Sequence, residues 1–305
     1  MAVLTDLTEL HRPTDLAAAL QLLGRSRPRT VPLGGGTLMA AGRGPGVEAL
    51  VDLSALGLEG VRVEGEEVVL GTATTLQALA DDPIARAQWW GVLATAARSS
   101  ATRLLRSAGT LGGTLAAGPA ARADLAVVLS VLEARVRALG PDGTARWLTM
   151  AELAGGLPAP GLLVEVRIPG ADRADPAPPP GGTTSGAAFL RIARTRTDQA
   201  LVHAAAVVES TPGQGTRVRL AVGGADWPPA RLATAEAALE GVELTEDAVR
   251  QATTPALAAL RPPADHRASP PYRRAVAAVL LGRAARQAAD RAVAARFHPH
   301  LGSDG

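Results

Sequence analysis

The stretch PGADRADPAPPPGGTTSG, residues 169–186, divides this sequence of 305 residues into two parts. Its prolines and glycines neither pack into a core nor propagate a helix, so no folded unit is expected to run through it. We therefore place a linker at 176–186, with folded regions before and after it. The chain is long enough for two or three modest cores.

The region before the linker predicts two lobes, which we assign to residues 1–56 and 57–175. In the first lobe, RTVPL and EALVDLS are typical short strands, and the preceding helix is predicted to begin at an N-cap, Thr14, and to end at Gly24. In the second lobe, strands flank a helical stretch that is expected to continue through ARAQWWGVLATAARSSATRLL. Thr149 and Glu152 form the pattern of a capping box for a further short helix.

The region after the linker, residues 187–300, predicts strands followed by helices. AAFLRIARTRTDQALVHAAAVVES and TRVRLAVGG supply the strands, together with a short helix over 198–203. The remainder of the region, up to Arg296, is predicted to be helical.

Composition excludes several classes of function. The chain has no cysteine, which excludes disulfides, thiolate zinc sites, a cysteine nucleophile and any iron–sulfur cluster held by this chain. The five histidines show no metal spacing, and we predict neither a metal site nor a catalytic residue. No window contains the roughly 18 apolar residues of a membrane span, and the N-terminus has no signal pattern, so we expect a cytoplasmic protein.

The basic pI of about 10.1 does not indicate nucleic-acid binding. All basic side chains are arginine, so little titrates between neutrality and the pKa of arginine, and the formal net charge is only +2. The arginines are scattered among acidic residues without interleaved aromatic side chains. We therefore predict no nucleic-acid partner.

Two glycine-rich stretches indicate a site for an anionic ligand. The first glycine segment is residues 34–37, GGGT, and the second glycine segment is residues 110–114, TLGGT. Glycines let backbone N–H groups converge on an anion, and a neighbouring hydroxyl adds a donor, so two such segments suit the two phosphates of a dinucleotide. Each segment on its own is more often an ordinary turn. Neither matches the Rossmann signature, and a P-loop needs a lysine that this chain lacks.

Seven stretches in order resemble the FAD-binding medium subunit of the molybdenum hydroxylases, over nearly the whole chain. They are PLGGGTLM, ALVDLS, VVLGTATTLQALADDP, RSAGTLGGTL, LLVEVRIP, AFLRIARTRTDQALV and PPADHRASPPYRRAV. The resemblance implies an α+β fold: a two-lobed FAD-binding domain of the vanillyl-alcohol-oxidase (PCMH) type, then a C-terminal domain with a small antiparallel sheet and helices.

The resemblance also implies the residues that bind FAD. Both glycine segments line the pyrophosphate, which carries over to Leu33, Gly34, Gly35, Gly36, Thr37, Leu38, Met39, Thr110, Gly112, Gly113 and Thr114. Asp124 contacts the adenosine ribose, Ile168 lies beside the flavin ring, and Arg191 approaches the flavin edge. Thr74 is a further candidate.

Several of these residues have simpler interpretations. Asp124 is equally typical of the N-cap of the following helix. Thr74 and Thr75 are more typical of the start of a helix than of a ligand site. Leu38, Ser107 and Thr114 replace residues that are polar or asparagine in many relatives, and a one-residue insertion precedes Asp124. Because these changes affect side chains and not backbone donors, we expect FAD binding to be retained.

The resemblance implies that the bound cofactor, and not a side chain, carries the chemistry. A large subunit would hold molybdenum, and a small subunit would hold two 2Fe–2S clusters that pass electrons to FAD, in a dimer of heterotrimers. The acceptor would be NAD, a quinone or oxygen. Two alternatives stay open at this point: a self-sufficient FAD-dependent reductase on the same fold, and a structural or assembly homologue that has lost FAD.

Overall fold

The computed structural model describes residues 6–41, 46–118, 124–157, 160–170, 182–195 and 198–297. Within these residues the strands form three sheets, of three, five and four strands. Residues 176–181 of the predicted linker lie outside the described residues. Residues 182–183 lead into the third sheet, and residues 184–186 of the predicted linker already belong to its first strand.

The first sheet is parallel and leads into the first glycine segment. Its elements are β1 (Glu9–His11), α1 (Leu16–Leu23), β2 (Thr30–Leu33), α2 (Thr37–Ala40) and β3 (Ala49–Asp52), in the strand order β1-β3-β2. The N-cap of α1 is Asp15 and not the predicted Thr14, because the Asp15 carboxylate accepts a hydrogen bond from the N–H of Ala18 at 2.8 Å. Since β2 ends at Leu33, the first glycine segment begins at the carboxyl end of a strand.

The second sheet is antiparallel, with the strand order β4-β5-β8-β6-β7. The second-lobe elements are β4 (Val61–Glu64), β5 (Glu67–Gly71), α3 (Leu76–Asp81), α4 (Pro83–Ala87), a 3-10 helix (Gln88–Gly91), α5 (Val92–Ser99), α6 (Arg103–Ala108), α7 (Leu111–Ala116), α8 (Asp124–Val131), β6 (Arg135–Leu139), β7 (Ala145–Thr149) and β8 (Leu162–Pro169). Alternate residues of β5 and β8, such as Val68 and Ile168, are fully buried under α3, α5 and α8.

The continuous helix expected in this lobe is wrong, because the backbone reverses at two tryptophans. Trp89 and Trp90 have φ values of 47° and 59°, which no regular helix contains. Trp89 is buried in the core, and the Trp90 indole N–H donates to the carbonyl of Ser185 at 3.2 Å. Burial of the Trp89 ring and the hydrogen bond of the half-buried Trp90 ring therefore stabilise a break that backbone propensity alone does not favour.

The Thr149–Glu152 capping box forms its hydrogen bonds without producing an α-helix. The N–H and hydroxyl of Thr149 both donate to Glu152 Oε2 at 2.7 Å, and the N–H of Glu152 lies 3.3 Å from Thr149 Oγ1. The following residues are turns that end at a glycine pair. The predicted capping box therefore forms, but the short helix predicted to follow it does not.

The third sheet is an antiparallel meander covered by helices. Its elements are β9 (Thr184–Ile192), β10 (Val202–Thr211), β11 (Gly215–Gly224), β12 (Trp227–Arg231), α9 (Ala233–Ala238), α10 (Glu246–Ala259) and α11 (Pro270–Phe297). The predicted helix at 198–203 is wrong, because this segment is an irregular connection that runs into β10. No helix in the described part of the chain is long and apolar enough to cross a bilayer.

The first two lobes and the third sheet are joined through α8. This helix packs against β10, β11 and β12. Glu133, just after α8, forms ion pairs with Arg219 and Arg231 of the third sheet. The C-terminal region therefore lies against the second lobe along a continuous apolar and ionic contact.

A buried arginine ties α11 to this arrangement. Arg273 is 0% exposed, and its guanidinium donates to the carbonyl of Leu201 at 2.8 Å and to both carboxylate oxygens of Asp265 at 2.9 Å. Burial acts to raise the pKa of Asp265, but the N–H groups of Ala268 and Arg267, with the two guanidinium groups, hold it well below its usual range. Asp265 thus stays ionised at neutral pH.

We expect Arg273→Met to lower the free energy of unfolding by about 3 kcal/mol, because it leaves the Leu201 carbonyl and part of the Asp265 charge without their donor. Urea unfolding measures the change. The control is Arg286→Met, since Arg286 is 57% exposed and pairs with an exposed aspartate on the same helix; its effect should stay within about 0.5 kcal/mol. Equal losses in the two variants would contradict the structural role of Arg273.

Candidate functional site

A cavity of about 540 Å³ lies between the first sheet and the helices of the second lobe. Eleven of the predicted site residues line it: Leu33, Gly34, Gly35, Gly36, Thr37, Leu38, Met39, Thr110, Gly112, Gly113 and Thr114. Apolar side chains supply much of the remaining wall, among them Leu53, Leu76, Leu105, Leu157, Leu162 and Leu163. The structure thus brings both glycine segments to one largely apolar cavity.

The first glycine segment presents free backbone donors. Gly36 has a φ of 67°, which turns the chain from β2 into α2 and is accessible to glycine without strain. Among the described residues, no acceptor bonds the N–H groups of Gly34, Gly35, Gly36 or Thr37. Buried or half-buried N–H groups require a partner, so this segment is suited to an anionic ligand.

Gly35 has no space for a side chain, because it contacts the backbone directly before the second glycine segment. A Cβ at Gly35 would overlap the carbonyl group of Ala108 and lie 2.9 Å from the Cα of Gly109. A Cβ at Gly34 would lie 2.6 Å from Thr110 Oγ1. The first segment therefore packs against the backbone that directly precedes the second segment, and against the side chain of Thr110.

The second glycine segment is the start of a helix, and four of its five N–H groups, all but that of Thr110, already donate to acceptors inside the protein. The N–H of Leu111 donates to the carbonyl of Thr74, and the N–H of Gly112 donates to the carbonyl of Thr72. The N–H of Gly113 donates to the hydroxyl of Thr110, the N-cap of α7. The expectation that backbone donors from both segments hold a diphosphate therefore meets an asymmetry: within the described residues the first segment has four unbonded N–H groups, whereas the second has only that of Thr110.

Gly112 of the second segment serves close packing against the end of β5. A Cβ at Gly112 would lie 2.8 Å from the Cβ of Thr72 and 3.0 Å from its carbonyl oxygen. Thr72 follows directly after β5, so the glycine lets α7 begin against the end of the second sheet. This contact places Thr110, Gly113 and Thr114 at the cavity wall.

Two of the other predicted residues lie in the interior and not at the cavity. Thr74 is buried, and its hydroxyl accepts a hydrogen bond from the N–H of Gly60 at 2.8 Å. Thr75, not Thr74, caps α3 by accepting from the N–H of Ala78. Ile168 is fully buried in the core of the second lobe, opposite Val68.

The remaining two predicted residues, Asp124 and Arg191, meet each other away from the described cavity wall. Arg191 Nε lies 3.1 Å from Asp124 Oδ1, and the hydroxyl of Ser99 donates to the same oxygen at 2.8 Å. A second nitrogen of Arg191 donates to the carbonyl of Asp198 at 2.6 Å. Here the pair connects α8 to the third sheet.

A buried histidine completes this cluster. His203 Nδ1 lies 3.5 Å from Asp124 Oδ1, and the ring stacks on Phe189 with centroids 6.1 Å apart. Burial lowers the pKa of His203; the Asp124 carboxylate opposes this shift, and the Arg191 guanidinium reinforces it. The imidazole is therefore neutral at physiological pH.

Two polar cavity residues were missed by the sequence reasoning. Arg29, just before β2, lines the cavity and is the only ionisable side chain among the described lining residues. Gln199 lines it from the connection between β9 and β10. Arg29 lies five residues before the first glycine segment, which was a usable signal, whereas nothing in the sequence around Gln199 indicates that it reaches this cavity.

These features define a class of ligand. Free N–H groups and a nearby arginine suit a diphosphate, and the apolar walls suit ring systems attached to it. Within the described residues no group of acidic, histidine or cysteine side chains is arranged to hold a metal ion. A two-lobed unit that encloses such a cavity and is followed by an antiparallel sheet and helices defines a flavoprotein of the vanillyl-alcohol-oxidase type.

Comparison with known families identifies the chain more closely. The model described as "FAD binding domain in molybdopterin dehydrogenase" matches residues 6–171, and the model described as "CO dehydrogenase flavoprotein C-terminal domain" matches residues 187–288. The chain belongs to the FAD-binding medium-subunit family of the molybdenum hydroxylases. The predicted family, the α+β fold class and FAD as cofactor are confirmed.

Individual relatives agree over nearly the whole length. The chain is 30% identical to the carbon monoxide dehydrogenase medium chain of Afipia carboxidovorans over 293 residues, which cover 93% of this chain and 97% of the relative. It is 28% identical to the nicotine 6-hydroxylase medium subunit of Paenarthrobacter nicotinovorans, with 89% and 93% covered. A solved structure of carbon monoxide dehydrogenase from Hydrogenophaga pseudoflava superimposes with a TM-score of 0.80 at 28% identity, covering 93% of this chain and 98% of that one.

The described residues fit FAD. The first glycine segment has the unbonded N–H groups that a diphosphate requires, and Gly34 and Gly36 offer no side chain that would fill the space in front of them. Leu38 lines the cavity, but it does not obstruct these backbone donors. The substitutions at Leu38, Ser107 and Thr114 therefore leave the main features of the site in place.

We expect Gly35→Ala to separate the two glycine segments, because the added Cβ has no space beside Ala108. FAD affinity should fall at least about tenfold, and the Tm should fall by about 5 °C or more. Fluorescence titration with FAD and thermal unfolding measure the two effects. Gly155→Ala is the matched control, since nothing lies within 4 Å of a Cβ at that exposed position; if both variants behaved like the wild type, the backbone contact would not hold the site together.

The buried His203 should make the free energy of unfolding depend on pH. Because its pKa is lowered in the folded state, the unfolded chain binds a proton below about pH 6.5 that the folded chain does not, and stability falls as the pH drops. The contribution of this group is at most about 1.4 kcal/mol per pH unit. His203→Leu should flatten the decline in the free energy of unfolding between pH 8 and pH 5, whereas a leucine at the exposed His266 should not. An unchanged slope in His203→Leu would show that other groups cause the decline.

Proposed function

We propose that this chain is the FAD-carrying electron-transfer subunit of a molybdenum hydroxylase complex. FAD, when bound, takes up electrons from 2Fe–2S clusters of a small partner subunit and passes them to an external acceptor, which is NAD, a quinone or oxygen. A large subunit holds the molybdenum cofactor and oxidises the substrate. The observation that carries this proposal is the row of unbonded N–H groups in the first glycine segment, at a cavity of the size and polarity that FAD requires.

The residues at the cavity support a role in binding and not in proton transfer. Among the described lining residues, Arg29 is the only ionisable one, and an arginine does not give up its proton at physiological pH. No general acid or base is therefore available there for a substrate of its own. This composition favours an electron-transfer subunit over a self-sufficient reductase, which needs an acid and a substrate pocket.

The chain's own residues would act in three ways. The N–H groups of the first glycine segment bind the diphosphate, with Arg29 adding positive charge beside it. The apolar side chains around Leu162 and Leu163 orient the ring system and exclude water from it. The contact of the first glycine segment with residues 108–110 fixes the distance between the first lobe and the second lobe.

Several finer features support a complex. The curated relatives named above are described as medium chains or medium subunits. The chain has no cysteine, so a 2Fe–2S cluster that feeds electrons to FAD has to be held by another chain. A dimer of heterotrimers, the location in the cytoplasm, and the domain boundaries at 56, 175 and 186 stay predictions, as do Thr74, Asp124, Ile168 and Arg191 as ligands.

Binding of FAD against FMN tests the role of the first glycine segment. FMN has one phosphate and no adenosine, so it cannot use all the donors that suit a diphosphate. We expect the purified chain to bind FAD at least about 100-fold more tightly than FMN, measured by calorimetry and by the visible absorbance of the oxidised flavin. Equal affinities, or a colourless protein after incubation with FAD, would contradict the proposal.

Reconstitution tests the subunit role. The chain is co-expressed with a candidate small 2Fe–2S subunit and a candidate large molybdenum-binding subunit from its source organism, and the complex is isolated through a tag on this chain. We expect the three chains to purify together and the flavin absorbance to bleach when the substrate of the complex is added under anaerobic conditions. A monomer that turns over an electron donor without partners would favour the reductase alternative instead.

A further inference from the structure

Gln199 is the point at which the C-terminal region reaches the cavity. Among the lining residues that the structure describes, it alone comes from beyond residue 170. The other lining residues belong to the first sheet, to the helices after β5, and to the segment that leads into β8. Gln199 therefore connects the third sheet with the space that we assign to FAD.

The segment 198–201, which carries Gln199, has no regular secondary structure, but hydrogen bonds fix the carbonyl groups of three of its four residues. Arg191 donates to the carbonyl of Asp198 at 2.6 Å, and Arg273 donates to the carbonyl of Leu201 at 2.8 Å. The carbonyl of Ala200 accepts from the N–H of Ala225 at 2.9 Å. An irregular segment with this many anchors is rigid enough to place a side chain accurately.

The Gln199 side chain is oriented by a hydrogen bond from Arg267. Arg267 Nη1 donates to Gln199 Oε1 at 3.1 Å. A guanidinium group has donors and no acceptor, so the amide oxygen has to face Arg267 and the amide NH₂ has to face away from it. No described residue accepts a hydrogen bond from that NH₂ group.

Arg267 is fixed in turn by two carboxylates. Its Nε donates to Asp265 at 2.8 Å, and a terminal nitrogen lies 3.1 Å from Asp226. Asp265 is the same residue that binds the buried Arg273. Charge-assisted hydrogen bonds thus connect Arg273 of α11 through Asp265 and Arg267 to Gln199 at the cavity. The last group in this series is the neutral NH₂ of Gln199.

We infer that the Gln199 side-chain NH₂ donates a hydrogen bond to the flavin ring of bound FAD and that Arg267 is its positioning residue. The inference rests on the proposed function, since it requires FAD in this cavity. A preorganised donor stabilises most strongly the form of the ring with more negative charge on its acceptors, which is the reduced form. Gln199 therefore raises the midpoint potential of the bound flavin.

The decisive variant is the neutral Gln199→Leu; Gln199→Glu keeps the shape and still accepts the hydrogen bond from Arg267, but it has no donor for the ring and adds a negative charge that lowers the potential further. Gln199→Leu removes both interactions. We expect Gln199→Leu to bind reduced FAD about tenfold more weakly relative to oxidised FAD than the wild type does. For a two-electron couple this lowers the midpoint potential by about 30 mV, which spectroelectrochemical titration of the purified holoprotein measures.

Gln77→Leu is the matched control. Gln77 also accepts a hydrogen bond from an arginine, Arg106, at 3.0 Å, but it does not line the cavity. Its replacement should leave the potential unchanged. Arg267→Met should shift the potential in the same direction as Gln199→Leu, because the donor loses its orientation.

The outcomes separate this inference from the proposed function. A wild-type protein that does not bind FAD overturns the proposed function. A wild-type protein that binds FAD, with Gln199→Glu and Gln199→Leu at the wild-type potential, overturns only the inference. Weaker binding of both redox states by the same factor would also overturn it, since Gln199 would then contact a part of FAD that does not change on reduction.

Discussion

The contact of Gly35 with the backbone of Ala108 and Gly109, directly before the second glycine segment, determines the shape of the FAD site. With no Cβ at Gly35, the first sheet approaches the end of α6 closely enough for main-chain atoms to touch. The same approach directs the N–H groups of the second segment into the protein, toward the carbonyls of Thr72 and Thr74. The first segment is left with four N–H groups that no described residue bonds. The site is therefore asymmetric, because within the described part of the chain the second segment keeps only the Thr110 N–H unbonded.

Arginine is the residue that connects the C-terminal region to this site. The chain has no lysine, and its buried cations are guanidinium groups that bond carboxylate and carbonyl oxygens at the same time. Arg273 joins Asp265 to Leu201, and Arg191 joins Asp124 to Asp198. Both side chains end on the irregular segment between β9 and β10. The C-terminal region thus contributes a fixed segment, and not a loose loop, to the wall of the cavity.

Much of the local structure could be predicted from the sequence, because short alternating strands and capped helices depend on neighbouring residues. The strands on either side of Gly65, the cap at Thr75 and the strands after the linker are examples. The errors lie where distant contacts override local preference. The helix through Trp89 and Trp90 is broken because the Trp89 ring is buried in the core and the half-buried Trp90 ring bonds Ser185. Residues 198–203 are not helical because arginines from β9 and α11 bond the carbonyls of Asp198 and Leu201.

The sequence by itself determined the family, the α+β class, FAD as cofactor and the two glycine segments at the cavity, since these depend on residue types in a fixed order. Only the tertiary structure decided which backbone N–H groups are free, that Thr74 and Ile168 lie in the interior, and that Asp124 and Arg191 bond each other. It also decided that Gln199 lines the cavity. Hydrogen-bond partners depend on which distant segments meet, and spacing along one chain contains no information about that pairing.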